Sequence, residues 1–420
     1  MTMTSTEKTS KLATFTMGIG PLLICGFSVP MSVSMIFPAL SDLQDKYNFS
    51  DAGLGFIAAA GFMTSLLVSL FVAPFADRGK PKKLVLAALI LASLGSTLFA
   101  FGSSLWMFVL ARAISGAALG TSGPAIKAIA ANIDKTRAAE RLGRLRGVEL
   151  AGFTGGPLIG ALLISPLGLR GAFLVFSVFA LVAFVIVAPR DLPSLPTTDD
   201  SKRLSIELLK YRPIRAAALA SLTLFIPIGI YDSLWDRYIT DRGGNNFMVG
   251  MTFLLYTIPF ILLGAKGGRL ADKKGAARMT VIGIFLTAPM VMLYGFLPSA
   301  FLLVSFSLVE GVIGALSIPA TQSLMAQVAP HGRASAAQGL NGTGDLIAGS
   351  IMALIAPVIY GSHGPEATFT FAAVLMVICG TAVALMLRTT ADSRSCSCCS
   401  LVTRFRGLVS TLDYLLVMLV

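Results

Sequence analysis

Four ionisable side chains lie inside runs of apolar residues: Arg112, Asp232, Glu310 and Asp345. A charge in hydrocarbon costs roughly a few kcal/mol or more, so residues of this kind face a protein interior and mark a path or a relay. Counting about 1.5 Å per residue puts Glu310 near the middle of its run, with Gly314, Ser317 and Thr321 on the same helical stripe. Asp345 reads as similarly deep. Gln338, Asn341 and Asp345 fall at i, i+3 and i+7, which gives an otherwise apolar helix one polar face. Asp232 lies nearer the end of its run, beside Tyr231, Trp235, Asp236 and Arg237, and Arg112 lies in the outer half of another run. A carboxylate taken out of water can bind and release a proton as access to water alternates. Glu310, Asp345 and Asp232 are therefore candidate proton sites, with Arg112 as the partner that tunes one of them. The same residues also fit a fixed ion pair, in which Arg112 neutralises one acid permanently and only clamps helices together. Gln338 and Asn341, on the polar face, and Tyr231, Trp235 and Phe306, whose aromatic faces attract organic cations, are candidates for lining a substrate cavity. The acids suit a cationic substrate and Arg112 suits an anion, so both signs stay open.

The elements that must position these residues span a bilayer. Of 420 residues, 55% are hydrophobic and 13% charged, with a mean hydropathy of +0.80. A soluble globule carries about a quarter charged residues, so this composition excludes a secreted or cytosolic enzyme. It also excludes a nucleic-acid binder despite a net charge of +12. Apolar runs of about 20 residues centre near Cys25, Phe62, Leu91, Gly116, Gly156, Phe179, Phe225, Tyr256, Phe285, Val312, Ile347 and Met376, which predicts twelve helical spans. The first run follows a polar stub and lacks a small-residue cleavage site, so it reads as a retained span. Threading twelve spans with both termini in the cytoplasm puts 28 of the 33 Lys and Arg inside, leaves Lys46, Arg170, Arg237 and Arg242 outside, and holds Arg112 within a span. One missed helix would swap the later loops across the membrane and destroy this bias. The plasma (inner) membrane is the expected location.

Residues 191–213 form the longest polar stretch and divide the chain, so the expected organisation is a cytoplasmic stub (1–12), a six-helix bundle (13–190), a cytoplasmic connector (191–213), a second six-helix bundle (214–388) and a cytoplasmic or interfacial tail (389–420). A repeat supports the division: Ala76-Asp77-Arg78 recurs as Ala271-Asp272-Lys273, and Gly116 with Pro124 recurs as Gly311 with Pro319, all 195 residues later. Two such halves point to the two-bundle architecture of secondary transporters, with the substrate path between the halves. In the fifth span Gly152, Gly156 and Gly160 recur every fourth residue and present bare backbone along one stripe, and Pro157 bends the helix by removing a hydrogen bond.

The stretch from Gly268 through Asp272 and Gly275 to Arg278 resembles the loop motif of the major facilitator superfamily, and Ala73 to Lys83, with Asp77 and Arg78, is its first-half copy. Gly143, Gly152, Gly156-Pro157 and Gly160-Ala161 resemble the motif of drug/proton antiporters in that superfamily, and Arg112 to Gly120 resembles its companion Arg-Gly motif. The resemblance implies an all-α membrane protein, the major facilitator fold, with twelve transmembrane helices in two pseudo-symmetric six-helix bundles. It implies a latch at Asp77, Arg78, Gly268, Asp272, Gly275 and Arg278, where a carboxylate at a helix amino terminus favours one conformational state. It also implies proton coupling through Arg112, although the first span carries no acidic residue, which many drug/proton antiporters have there.

The function expected is secondary active transport of small lipophilic molecules by alternating access, as proton-coupled efflux. The alternative is a proton-coupled importer or facilitator of a metabolite, and a sensor or polytopic enzyme stands as a remote alternative. An enzyme needs a nucleophile with a base, or metal ligands, and the two histidines, His331 and His363, fall in predicted loops. Cys396, Cys398 and Cys399 have no nearby His to complete a metal set. No cofactor and no metal are expected. The expected partners are a small-molecule substrate, protons and lipid, and the expected state is a monomer.

Overall fold

The computed structural model describes residues 19–76, 81–133, 138–192, 205–330 and 334–392. The predicted stub up to residue 12, Asp77, Arg78, His331 and the Cys-rich tail lie outside the described residues. Every described element is helical: α1 Gly20–Ser34, a 3-10 turn Phe37–Ala39, α2 Leu40–Tyr47, α3 Asp51–Ala76, α4 Pro81–Phe101, α5 Leu105–Ile133, α6 Ala138–Val187, a 3-10 turn Ser205–Lys210, α7 Arg212–Asp241, α8 Asn246–Lys274, α9 Ala276–Tyr294, α10 Ala300–Val328 and α11 Ala334–Asp392. Ten helical segments are long and apolar enough to cross a membrane. Two of them, α6 and α11, are broken at Gly168 (φ 67°) and Gly364 (φ 79°), where the backbone leaves helical geometry. A side chain rarely adopts such a φ, which is why glycine sits at both breaks. Each broken helix supplies two limbs, and the ten segments become twelve crossings.

The starts of these helices follow from local chemistry. Asn245 accepts a hydrogen bond from the Met248 N–H at the head of α8 (3.0 Å), and Ser299 accepts one from Leu302 N–H at the head of α10 (3.4 Å), each satisfying a donor the helix leaves free. Gly275, at φ 92°, separates α8 from α9 in one residue. The 195-residue repeat holds in three dimensions: α3, α4 and α5 begin at Asp51, Pro81 and Leu105, and α8, α9 and α10 at Asn246, Ala276 and Ala300. Gly116 of α5 lies against the Gly61 carbonyl of α3, and Gly311 of α10 lies against the Tyr256 carbonyl of α8, so both members of each contact repeat together. From α6 onward the offset is one residue longer, as the breaks at Gly168 and Gly364 show.

Each half has its own apolar core. In the first, Phe99, Phe108, Phe173 and Phe176 pack together, and in the second Trp235, Tyr238, Tyr294 and Phe369 do. The outer surface stays apolar, with Phe71, Trp106, Ile261 and Phe301 about 70% exposed, an arrangement only lipid can cover.

The halves meet on the side of the turns at 48–50, 242–245 and 295–299, called here the far face; the other, which carries the 3-10 turn Ser205–Lys210, is the connector face. Along α3, residues from Asp51 to Phe62 lie against Gly361, Pro357, Ala353 and Gly349 of α11. Eleven residues of helix span about 16 Å, roughly half the hydrocarbon thickness. Thr154 of α6 and Thr257 of α8 share a hydrogen bond across the halves (2.7 Å), and the Phe37 and Phe253 rings stack at 5.0 Å. At the rim, Ser41 donates both its backbone N–H (2.6 Å) and its hydroxyl (2.9 Å) to Asp236, Arg237 pairs with Asp45 (2.6 Å), and Asn246 donates to Asp42 (2.7 Å). On the connector face, polar contacts within one half include Lys127 and Arg146 with Glu149, Ser323 with Asp272, and Gln338 with the Gln322 carbonyl.

Candidate functional site

Arg112 projects from α5 into the far-face contact between the halves. Its Nη2 donates to both carboxylate oxygens of Asp232 on α7, at 2.6 and 2.8 Å, and its Nη1 donates to the Val33 carbonyl at 3.0 Å. The guanidinium also lies 5.3 Å from the centre of the Phe37 ring. Both partners are buried, Arg112 at 5% and Asp232 at 5% exposure. Of the three acids the sequence offered, Arg112 therefore pairs with Asp232, and the pair crosses from one half to the other. The pair thus ties the two halves together on the far face.

Glu310 occupies a different environment. It is buried in α10, and the Tyr231 and Tyr294 hydroxyls donate to its two oxygens, each at 2.8 Å. Among the described residues it has no ion-pair partner. A cavity of about 20 Å³, lined by Glu310, Tyr256, Thr287, Gly314 and Ser317, adjoins the carboxyl. A cavity of that size accommodates a single water molecule. The predicted stripe of Glu310, Gly314 and Ser317 is thus one wall of a water-sized chamber.

Asp345 and Glu310 differ more than the sequence suggests. Asp345 is only half-buried, and it accepts a short hydrogen bond from the Ser221 hydroxyl of α7. Its predicted polar face is divided: Asn341 is buried with its Oδ1 unpartnered, whereas Gln338 turns to the Gln322 carbonyl of α10 at 2.9 Å. Tyr231, Trp235 and Phe306 lie among the packed rings of the second half. They pack on Tyr294 and on one another, with ring centres 4.9 Å apart for Tyr231–Trp235 and Trp235–Tyr294 and 5.5 Å for Tyr294–Phe306.

The small-residue stripe is present. Gly152 lies against Phe27 and Gly156 against Met31 and Ser34, all on α1, and Gly160 lies against Met35 just past its end. Pro157 stands within α6 at the point where Gly250 of α8 approaches the Pro157 and Leu158 backbone. Of the predicted latch, Asp77 and Arg78 lie outside the described residues. Asp272 takes a 3.4 Å hydrogen bond from Ser323 in its own half, Gly275 forms the turn between α8 and α9, and Gly268 has open space around it.

Three residues were missed in the sequence. Tyr294 closes α9 and its hydroxyl matters only because α9 and α10 pack in this register. Phe37 is an apolar ring whose role is to carry a guanidinium. Glu149 is buried in α6 beside Lys127 (3.7 Å) and Arg146 (3.6 Å). The last had a readable signal, because Glu149 precedes Gly152 and Gly156 on the same helical stripe.

Comparison with known proteins gives matches over most of the chain. The family model described as Major Facilitator Superfamily matches residues 22–243 and 217–396. The class B tetracycline resistance protein of Escherichia coli is 26% identical over 356 residues, covering 80% of this chain and 86% of that protein. The multidrug resistance protein MdtG of Dickeya zeae is 22% identical over 286 residues, covering 66% of this chain and 70% of that protein. Among solved structures, a bacterial homologue of the human lysosomal transporter Spinster, in an inward-facing and occupied conformation, superposes with a TM-score of 0.74 at 15% identity over 88% of this chain and 96% of that one.

Proposed function

The chain belongs to the major facilitator superfamily, a family of membrane transporters and not of enzymes, and from that premise we propose that it exports small lipophilic compounds in exchange for protons. Export proceeds by alternating access across the plasma membrane, with a monomer whose termini and connector lie in the cytoplasm. The halves run over 13–190 and 214–388. Similarity to a tetracycline resistance protein and a multidrug resistance protein supports the direction and the class of substrate.

The observation that carries the coupling is Glu310: a buried carboxyl with no ion-pair partner among the described residues, held by two tyrosine hydroxyls beside a water-sized chamber. Such a group accepts a proton when water reaches it and yields it when the chamber connects to the other side. Asp345 is the second proton site. Asp232 alternates between Arg112 and a proton, because the bond to Arg112 is available only with the far face closed. Gln338 and Asn341 contribute polar contacts to the substrate. Gly268, Asp272, Gly275 and Arg278, with Asp77 and Arg78, latch the connector face, and the Gly152–Gly156–Pro157–Gly160 stripe keeps α6 against α1 as the halves rock.

A second reading, a proton-coupled importer or facilitator of a metabolite, draws on one observation: α1 has no acidic residue. Labelled compounds in proteoliposomes under an imposed pH gradient separate the readings. The proposal expects gradient-driven flux that Glu310→Gln abolishes and Asp345→Asn reduces. Flux that survives both substitutions removes these proton sites, and flux indifferent to pH for every compound removes antiport.

A further inference from the structure

Ser41 and Asp236 stand 195 residues apart, which is the repeat interval, so each occupies in its own half the place that the other occupies in its half. Two counterparts touch only beside the axis that relates the halves. These two do touch: Asp236 Oδ2 accepts the Ser41 backbone N–H at 2.6 Å and the Ser41 hydroxyl at 2.9 Å. Phe37 and Asp232, which flank Arg112 one turn deeper, are counterparts as well. The substrate path of a two-bundle transporter runs between the halves along that axis, so the Ser41–Asp236 contact lies across its far mouth.

Asp236 is 2% exposed, and its Oδ1 is buried with no hydrogen-bond partner. Among the described residues no cation pairs with it. Arg237, next in sequence, turns to Asp45 (2.6 Å) and Asp241 (3.1 Å), and Arg112 of α5 is taken by Asp232. Arg242 lies over the Tyr238 ring at 5.4 Å, and Lys46 of α2 lies over the Tyr47 ring at 5.6 Å. The neighbouring acids have donors of their own: Asp42 on α2 accepts from the Asn246 amide of α8, Asp51 on α3 from Gln44, and Asp241 from the Tyr360 hydroxyl of α11. An ionised carboxylate spreads its charge over both oxygens, and a dry oxygen without a donor makes that form costly. A proton on Oδ1 removes the charge and leaves Oδ2 to accept both Ser41 bonds. The neutral acid therefore keeps the contact that the anion makes at greater cost.

We propose that Asp236 is a proton-binding gate on the substrate path: the far face shuts on its neutral acid, and parting the halves wets and ionises it. Each closure takes one proton from far-face water onto Oδ1, and each opening returns it to the same water. Glu310 exchanges its proton between the two sides, whereas Asp236 gives its own back to the side it came from. The gate thus sets how readily the far face shuts and adds nothing to the protons moved per cycle. The inference rests on alternating access as proposed above, and not on the choice of Glu310.

The test needs no substrate. With the five native cysteines replaced, nitroxides at the exposed positions Lys46→Cys and Phe247→Cys in lipid nanodiscs report the far face by double electron–electron resonance. A second pair, Gly143→Cys and Gly339→Cys, where an added side chain meets nothing, reports the connector face. Above about pH 5, where a wetted aspartate is ionised, the closed-to-open ratio on the far face is expected to fall as pH rises. Asp236→Asn, whose amide imitates the neutral acid, is expected to stay closed and to remove about a tenfold fall per pH unit from the parent's dependence. An amide that opens the far face at every pH overturns the proposal, because the contact then needs the anion. Infrared spectra read the same point with the acid in place: Ser41→Ala removes one donor to Oδ2, and a neutral-carboxyl band is expected to move to higher frequency. A carboxyl spectrum indifferent to Ser41→Ala overturns the proposal even where Asp236→Asn fails to fold. If the far-face labels show two states whose pH dependence ignores Asp236→Asn, alternating access stands and the gate falls. If neither label pair shows a second state at any pH, alternating access fails and the gate with it.

Discussion

Removing either partner of the Arg112–Asp232 pair leaves the other buried in the contact between the halves, and the two losses differ in kind. In Asp232→Asn the guanidinium stays charged, keeps its bonds to Val33 and its contact with Phe37, and faces an amide at 2.6–2.8 Å. In Arg112→Met the orphaned carboxylate can escape by taking a proton, an option closed to arginine. An unpaired buried charge costs about 3–5 kcal/mol, so Asp232→Asn belongs at the top of that range and Arg112→Met at the bottom. The strain has an exit short of unfolding, because opening the far face wets the stranded charge. At about 1.4 kcal/mol per decade, the same penalty shifts the closed-to-open ratio on that face by roughly two to three and a half orders of magnitude. The double variant Arg112→Met with Asp232→Leu removes both charges and is expected to lie within about 1–2 kcal/mol of the parent, since apolar replacements of a buried pair are commonly neutral or stabilising. Denaturant unfolding in detergent measures the stabilities, and nitroxides at Lys46→Cys and Phe247→Cys measure the opening. Single effects that simply add in the double variant, or a far-face distance unmoved by either single change, refute the claim that this pair holds the face shut.

Other consequences are as direct. Tyr294→Phe removes one of the two donors to Glu310 and is expected to cost about 1–3 kcal/mol, read as a lower unfolding midpoint, with the pH-gradient dependence of flux weakened as well. Gly156→Leu drives a side chain into the Met31 carbonyl and Ser34 and is expected to lower thermal stability by several degrees or prevent folding, while Gly155→Ala, around which nothing lies within 4 Å, is tolerated; thermal scans of the two variants compare them. Thr154→Val with Thr257→Val deletes the 2.7 Å hydroxyl bond across the halves while keeping shape, so the far face opens more often by about five- to tenfold, measured with the same far-face labels.

Twelve spans and two halves were legible because lipid imposes a rule that sequence displays openly: about 20 apolar residues per crossing, with cations kept to one side. The repeat could be read from Asp77 and Asp272 and from Gly116 and Gly311, since glycines at a helix contact are irreplaceable there. The pairing inside the site could not be read. Whether Arg112 meets Asp232, Glu310 or Asp345 depends on how the two halves dock, and no periodicity within one helix encodes a contact between residues 120 apart in sequence such as Arg112 and Asp232. The packing of the aromatic residues could not be read for a related reason. Tyr231 and Trp235 lie about one turn apart on α7, and only the arrival of α9 and α10 packs them around Tyr294.

The repeat also separates what the backbone dictates from what chemistry adds. Shifting the second half back by 195 residues sets Tyr231, Tyr294 and Glu310 on Ile36, Phe99 and Ser115. Ile36 and Phe99 are buried apolar residues, and Ser115 turns back to the Ala111 carbonyl of its own helix at 2.9 Å. The same three places in the same helix packing are thus inert in one half and carry a carboxyl with its two donors in the other. A lone carboxyl introduced at the Ser115 position would find no hydroxyl to receive it and would carry the full desolvation cost. The two tyrosine hydroxyls occur where the acid occurs, which is the pattern of a built site and not of a stray buried charge. A second substitution follows the same logic. Asp232 stands where the first half has Phe37, and those two residues flank the one guanidinium of Arg112. The acid that the first span lacks is supplied by its counterpart in the other half, and moving it there converts an ion pair within one bundle into one between bundles. Such a pair ties the two halves together on the far face, so Asp232 takes part in their docking and not merely in the packing of its own half.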